Sequence, residues 1–406
     1  MSKKLFIIII SVVLAFFLIS LIGYYFILQS NQGEPGSGSS IFQNFFPFGG
    51  NASVETPIVE EPPVTPPTIN ITNYTQKLRK LSTEPVAGAG VLDVKAGTIV
   101  RYIERATGHI FETELFSPNQ NRISNTTIPF VYDAVWGNKN NSLVARYLKD
   151  DNQTIDTYGL LIKEVATSTG GVVSAIKFPE NLSDVSVFGS SVFSLEQKAG
   201  SSVGYVSNFD GSKRVQIWNS PIKELLSQYV NTKTVALTTK PHQEVKGFLF
   251  FVDTGNAQIK TILGNILGLS TLVNDLATQV LYLDQEDTPK MFVFDTKNKS
   301  SVTVTPTTFP EKCVWSKKDR NVFYCAVPER LVDRESLTSW YRGSLSLADN
   351  LWKYDVKNNT SSMIKGLFTE SGEQIDVIKP ILSENEQYLI FINKRDNSLW
   401  SLDLTK

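Results

Sequence analysis

Beyond about residue 90, apolar and polar residues alternate in short runs separated by turn-forming residues, and this pattern predicts β-strands. Three runs share a hydrophobic and aromatic strand, then Asp, then a polar turn: "MFVFDTKNKSS" (291–301), "LWKYDVKNNTSS" (351–362) and "LWSLDLTK" (399–406). Asp295, Asp355 and Asp403 hold the same place in each run, and a hairpin-like unit precedes each of them. The sequence therefore predicts an all-β domain with internal repeats.

Repeats of about 40–45 residues, each made of four short strands, are typical of β-propeller blades. The region 89–406 has room for about seven such blades, and about six or eight are also possible. Two packed β-sandwich domains would use the same kind of strands and are the alternative. We predict a β-propeller.

Several segments also resemble known proteins: "KLRKLSTEPVAGAG", "ALTTKPHQEVKGFLFFVD", "CVWSKKDRNVFYCAVP" and "SWYRGSLSLADNLWKYD". The repeated strand–Asp phrase resembles the TolB-like or tryptophan–aspartate-like bacterial propellers. The four segments look more closely like bacterial propeller proteins that carry a single N-terminal membrane anchor. This resemblance covers most of 77–406. It implies a fold and a topology, and it brings no known activity or site residues.

The N-terminus predicts a membrane anchor. Residues 5–28 are uncharged, apolar and free of proline, and about 20 such residues span a bilayer as a helix. The run lacks the small-residue cleavage site of a signal peptide, so a retained anchor is favoured over a cleaved one. Lys3 and Lys4 precede it, which places residues 1–4 in the cytoplasm and the rest outside. We therefore expect a single-pass protein of the cell membrane, with the lipid bilayer as the partner of 5–28.

Residues 29–88 are rich in Pro, Gly and Ser and are predicted to form a disordered stalk. Within it, "IFQNFFPFGG" (41–50) gathers Phe45, Phe46 and Phe48 in a segment too short to form a core. Exposed apolar clusters often mark contact sites, so these residues are candidates for binding a partner. The alternatives are contact with the membrane surface or with the protein's own domain.

Charge and histidine content narrow the function. Lys+Arg (39) and Asp+Glu (40) balance to a net charge of -1, which disfavours a nucleic-acid-binding protein. The chain has 2 histidines, His109 and His242, far apart in sequence. "GSSVG" (200–204) matches a serine-hydrolase motif but falls in a predicted hairpin turn. We therefore predict no catalytic residue, metal ligand or cofactor, and an enzyme is the less favoured interpretation.

The two cysteines, Cys313 and Cys325, flank a polar turn in "CVWSKKDRNVFYC". Folding this segment about Asp319 places Trp315 opposite Phe323 and the cysteines opposite each other, as a disulfide requires. A location outside the cytoplasm permits the bond. Two free buried thiols are the alternative, and a zinc site would need two further ligands.

A segment that interrupts the β pattern and a long insertion are also informative. "NSPIKELLSQYV" (219–230) predicts a short helix, with Ser220 as N-cap and Pro221 at the first helical position. A long insertion, 327–349, brings together Trp340, Tyr341 and Arg342, residue types that dominate protein interfaces. They are candidates for binding a partner. The alternative is that the aromatic rings cover an adjacent blade and the arginine pairs locally.

These observations favour a non-enzymatic binding or scaffold module of the bacterial cell envelope, with an envelope protein as its expected partner. The alternative is a hydrolase or lyase acting on an envelope polymer through carboxylates at the propeller channel. Pairs of carboxylates can cleave glycosidic bonds without histidine. A sensor is less favoured, because only 4 residues precede the predicted membrane helix.

Overall fold

The computed structural model describes residues 76–163, 172–330 and 332–405. In these residues the alternating runs form strands, and the strands assemble into seven four-stranded antiparallel sheets. Two short α-helices, α1 (Ser336–Tyr341) and α2 (Leu367–Ser371), and a single 3-10 turn (Pro310–Lys312) interrupt the β-structure. The predicted all-β class is confirmed.

Six sheets, or blades, are each built from four consecutive strands, and in each of them the first strand is the innermost and the fourth is the outermost. Blade 1 contains β2 (Val86–Val94), β3 (Gly97–Glu104), β4 (Ile110–Glu114) and β5 (Gln120–Arg122). Blade 2 contains β6 (Val131–Gly137), β7 (Ser142–Leu148), β8 (Ile155–Lys163) and β9 (Val172–Lys177). Blade 3 contains β10 (Leu182–Phe188), β11 (Ser191–Lys198), β12 (Ser201–Asn208) and β13 (Val215–Ser220).

The next three blades follow the same order. Blade 4 contains β14 (Leu225–Asn231), β15 (Thr234–Thr239), β16 (Lys246–Asp253) and β17 (Ile259–Leu267). Blade 5 contains β18 (Ser270–Val273), β19 (Gln279–Asp284), β20 (Lys290–Asp295) and β21 (Ser300–Val304). Blade 6 contains β22 (Cys313–Trp315), β23 (Val322–Pro328), β24 (Asp349–Asp355) and β25 (Thr360–Gly366).

Blade 7 closes the ring with strands from both ends of the described chain. Its inner strands are β26 (Val377–Leu382), β27 (Tyr388–Asn393) and β28 (Leu399–Asp403), and its outermost strand is β1 (Leu78–Lys80). β1 pairs antiparallel with β28, with Leu78 opposite Leu402. β26 in turn packs against β2 of blade 1. The architecture is a seven-bladed β-propeller, as predicted.

The folded domain begins earlier than the sequence predicted. β1 and the first residues of β2 fall within 29–88, which was assigned to the stalk. The short β1 has no partner nearby in sequence, since it pairs with the last strand of the chain. The pattern of apolar and polar residues around residue 78 therefore could not show that β1 belongs to the sheet of blade 7.

Apolar side chains fill the spaces between neighbouring blades. Between blades 5 and 6, for example, Leu281 and Met291 pack with Phe323 and Tyr354, and all four are almost completely buried. The rings of Phe323 and Tyr354 stack with their centroids 4.7 Å apart. Burying one such side chain stabilises the fold by roughly 1.5–3 kcal/mol. These interfaces fix the angle between blades and so the width of the channel.

The predicted helix at 219–230 is wrong. Residues 219–220 end β13, residues 221–224 link the two strands, and residues 225–230 lie in β14. β14 pairs with β15, with Leu225 opposite Thr239 and Tyr229 opposite Val235. Pairing across the blade thus overrides the local helical signal of Ser220 and Pro221.

The repeated aspartates have a structural role. Asp295 ends β20, and its Oδ1 accepts hydrogen bonds from the backbone N–H groups of Lys297 (2.8 Å) and Asn298 (2.7 Å). Asp355 and Asp403 end β24 and β28 and accept backbone N–H groups of the following turn in the same way. The repeat therefore marks the turn that leaves the third strand of a blade.

The predicted disulfide is present. Cys313 and Cys325 are bonded, and the β22–β23 register places Trp315 opposite Phe323.

Among the described residues, helices are too short or too polar to cross a bilayer. The predicted anchor, 5–28, lies outside the described residues, as do Phe45, Phe46 and Phe48.

Candidate ligand site at the channel mouth

The innermost strands run in the same direction along the channel, so their first residues meet at one mouth. Near each start, a buried residue is followed two positions later by a residue of the channel wall. The buried residues are Val86, Val131, Leu182, Leu225, Leu269, Phe309 and Val377. The wall residues are Gly88, Asp133, Asp184, Ser227, Thr271, Glu311 and Lys379. In blades 1, 2 and 3 a break in strand register falls between the two positions, and such bulges re-aim side chains.

Around blades 7, 1 and 2 the wall charges are paired. Lys379 of blade 7 reaches past blade 1 and donates hydrogen bonds to Asp133 of blade 2 and to the carbonyl oxygen of Ala87. Arg146 lies 3.5 Å from the other carboxylate oxygen of Asp133 and donates to the carbonyl oxygen of Leu182 at 2.6 Å. Burial by itself would raise the pKa of Asp133, but the two basic side chains lower it overall.

Around blades 3 to 6 the wall encloses a cavity of about 320 Å³, which we call the recess. Its lining consists of Asp184, Leu226, Ser227, Gln228, Thr238, Pro241, Ser270, Thr271, Leu272 and Glu311. Both ionisable side chains of this lining are acidic. The recess therefore combines a largely apolar wall with a few polar groups, and it carries negative charge when its carboxyl groups ionise.

The two carboxyl groups of the recess are held in a desolvated setting. Burial raises the pKa of Asp184 to about 6, although the Ser227 backbone N–H donates to its Oδ2. Burial also raises the pKa of Glu311. Glu311 Oε1 accepts a hydrogen bond from the Ser270 hydroxyl at 2.7 Å, while its buried Oε2 has no hydrogen-bond partner among the described residues. Desolvation is the main cause of both shifts, and it outweighs the opposing effects of Arg146 on Asp184 and of Lys312 on Glu311.

The long insertion, which the structure limits to residues 329–348 between β23 and β24, folds over this part of the mouth. The Gln243 N–H of blade 4 donates to Thr338 Oγ1 at 3.3 Å, and Arg334 donates to the Gln243 carbonyl oxygen at 3.3 Å. Leu337 packs with Leu283 of blade 5. The insertion therefore reaches from blade 6 across to blade 4.

A buried ion cluster holds the insertion in place. Lys312 is completely buried and donates to Asp349 at 2.6 Å and to Asp376 at 2.5 Å. The indole N–H of Trp340 donates to Asp376 Oδ1 at 3.0 Å, and the Leu347 backbone N–H donates to Asp376 Oδ2 at 2.9 Å. Asp376 thus ties blade 7, blade 6 and the insertion together.

The structure separates the three candidate residues of the insertion. Trp340 is buried and covers the neighbouring blades, as the alternative interpretation expected. Tyr341 is 41% exposed, and its hydroxyl donates to Glu311 Oε1. Burial of the hydroxyl and the neighbouring Glu311 carboxyl raise the pKa of Tyr341 well above its ordinary value, although part of the residue is exposed. Arg342 is exposed beside it. Partner binding by these residues stays a prediction.

Sequence reasoning missed Asp133, Asp184, Glu311 and Lys379. The available signal was positional: each lies two residues after an apolar residue at the start of a predicted blade. Reading the repeats in register from their first strand would have aligned these four residues.

In the described parts of the chain, His, Cys, Asp and Glu side chains form no group of three or more that could hold a metal ion.

The chain matches no protein-family model and no curated protein. Its fold is similar to that of an oligogalacturonate lyase in complex with manganese, with 10% identity and a TM-score of 0.50 over 82% of this chain and 100% of that chain. An oligogalacturonate lyase from Vibrio parahaemolyticus has 7% identity and a TM-score of 0.47, covering 81% and 98% of the two chains. TolB from Acinetobacter baumannii has 9% identity and a TM-score of 0.41, covering 78% of each.

At these identities the likeness shows the fold alone. Together with the sheet topology, it defines the class as a seven-bladed β-propeller. In this propeller the channel wall is divided into a charge-paired part and the acidic recess.

Proposed function

We propose that the protein is a membrane-anchored, extracytoplasmic propeller that acts as a non-enzymatic binding module of the cell envelope. Its ligand contacts the recess and the exposed part of the insertion. The observation that carries this proposal is the recess itself, a cavity of about 320 Å³ that contains two carboxyl groups. It adjoins exposed Tyr341, whose hydroxyl donates to Glu311. Concave sites with a few convergent polar groups are the usual form of a binding site.

Two features support the cellular location. The uncharged run 5–28 after Lys3 and Lys4 fits a retained anchor with the propeller outside the cytoplasm. The disulfide between Cys313 and Cys325 fits an oxidising compartment. Protease added to intact cells or spheroplasts should therefore degrade the propeller, and protection of the propeller until the membrane is broken would contradict this location.

Crosslinking in intact cells tests the binding function. A photocrosslinking amino acid that replaces Arg342 in the full chain should capture a partner. The amount of captured partner should fall when the same chain also carries Asp184→Asn. The matched control is Lys357, exposed in the turn that leaves the third strand of blade 6, at the other end of the channel. Equal capture from both positions, or capture of nothing from Arg342, would contradict binding at the mouth.

A second candidate function is cleavage of an envelope polymer by a hydrolase or lyase reaction. The observation that favours it is the pair of carboxyl groups in one recess, Asp184 with a pKa of about 6 and Glu311 with a raised pKa. Such a pair can supply one protonated and one ionised group for glycosidic cleavage. Because both groups are acidic, a polymer of neutral or amino sugars fits better than a polyuronate.

An activity screen separates the two functions. The full chain is incubated with neutral, amino-sugar and acidic polysaccharides, and the reducing ends or unsaturated products are measured. Catalysis predicts cleavage that is lost in both Glu311→Gln and Asp184→Asn while both variants stay folded, as judged from their melting curves. Absence of cleavage across the panel, with crosslinking from Arg342 intact, would leave the binding module as the function.

A further inference from the structure

We propose that the recess binds a sugar that carries a protonated primary amine. This inference rests on the proposed binding function and names the chemical class of its ligand. It follows from the charge of the recess, from the polar groups of its wall and from its size.

The charge of the recess favours a cation. Asp184 and Glu311 are the ionisable groups of its lining. Lys379 and Arg146 contact Asp133, and Lys312 contacts the buried Asp349 and Asp376. Arg342 is exposed on the insertion and is not part of the lining. A cleft lined by one sign of charge concentrates ligands of the other sign.

The polar groups of the wall favour a sugar ring over an alkyl amine. The Thr238 and Thr271 hydroxyls contact each other at 2.5 Å, and the Ser227 hydroxyl donates to Ser186 Oγ at 2.8 Å. A hydroxyl offers one donor and two acceptor positions, so each keeps capacity for a ligand hydroxyl. A volume of about 320 Å³ lies at the small end of ligand sites, which suits a single sugar unit.

Binding should depend on pH because of Asp184. The groups that face it are Arg146 and Asp133 from blade 2, Ser227 from blade 4, and Tyr341 from the insertion. An ammonium group favours the ionised carboxylate. With a pKa of about 6, Asp184 is mostly protonated at pH 5 and mostly ionised at pH 7. The affinity should therefore rise about ten-fold between these pH values.

The test is calorimetric titration of the detergent-solubilised full chain at pH 7 with three matched sugars. These are glucosamine, glucose, which lacks the amine, and N-acetylglucosamine, in which the amine is acylated. Glucosamine should bind at least about ten-fold more tightly than either of the others, as expected for one charge-assisted contact. Asp184→Asn should abolish this preference, while Asp210→Asn, in an exposed turn of blade 3, should keep it.

Nα-acetyl-lysine amide supplies the amine without the sugar ring and should bind more weakly than glucosamine. Equal binding of glucose and glucosamine, or a preference that survives Asp184→Asn, would overturn recognition of the amine. Equal or tighter binding of the lysine derivative would overturn the sugar. If none of the probes binds, the inference fails, and a partner still captured from Arg342 would leave the binding function standing.

Discussion

The charge-paired part of the channel wall and the recess place a carboxyl group at the same strand position, but they shift its pKa in opposite directions. Asp133 in blade 2 and Asp184 in blade 3 occupy equivalent places at the start of neighbouring inner strands. Lys379 and Arg146 contact Asp133, and its pKa falls. Asp184 receives a backbone N–H from Ser227 and lies in the recess, and its pKa rises to about 6. An equivalent position in the fold therefore fixes where a carboxylate lies, while its neighbours decide whether it stabilises the fold or is available to a ligand.

The largest expected effect comes from the ion cluster beside the recess. Lys312→Met leaves the carboxylates of Asp349 and Asp376 without their ammonium partner in a fully buried site. Breaking a buried ion pair in this way costs about 3–5 kcal/mol of unfolding free energy. Chemical denaturation of the full chain measures it, with Lys317→Met in the exposed turn as control. A loss as small as the control's would show that the cluster does not hold blades 6 and 7 together.

The disulfide should contribute less. It closes a loop between residues 12 apart, directly after the segment that carries Glu311. Replacing both Cys313 and Cys325 by Ser should lower the free energy of unfolding by about 2–3 kcal/mol. A thiol-blocking reagent applied to the denatured native protein without reductant should label neither cysteine. Labelling of both in freshly prepared membranes would contradict the bond.

On the paired side, Asp133→Asn should lower the free energy of unfolding at pH 7 by about 2 kcal/mol, because it removes charge-assisted contacts with Lys379 and Arg146. The native pKa of Asp133 is lowered, so its contribution is present above its unfolded pKa of about 4 and is lost as pH falls below that value. Denaturation at pH 7 and pH 3 should show the difference shrinking at the lower pH. A difference that does not depend on pH would contradict the pairing.

In the recess the sign of the pH dependence reverses, and the expected effect is no larger than that of Asp133. The native pKa of Asp184 is raised, so the native protein loses stability as pH rises from about 4 to about 6. Asp184→Asn removes this loss and should stabilise the protein by about 2 kcal/mol at pH 7, relative to its effect at pH 4. Melting curves at the two pH values test this. Destabilisation at pH 7 would show that Asp184 is held as a stabilising anion like Asp133.

The repeats made the propeller and its disulfide predictable, because both depend on patterns within a few residues. Asp295 and Asp355 recur since each closes a local turn, and Cys313 faces Cys325 across one hairpin. The recess was not predictable in the same way. Its members come from four blades, and Tyr341 reaches Glu311 only because the insertion folds back over the mouth.

Lys312 shows the same limit most clearly. In sequence it is one more lysine near "SKKDR", whereas in the structure it is fully buried against carboxylates 37 and 64 residues further along the chain. Local propensity carries no information on such a contact, which depends on the packing of blade 6 against blade 7. The helix expected at 219–230 failed for the related reason that strand pairing within blade 4 outweighed a local cap.

The closure of the ring has a mechanical consequence. The three residues of β1 are both the outermost strand of blade 7 and the segment that connects the propeller to everything before residue 76. Tension applied to the chain ahead of the propeller therefore acts first on the pairing of Leu78–Lys80 with β28. A force large enough to separate β1 from β28 would therefore open blade 7 before it disturbed the channel mouth.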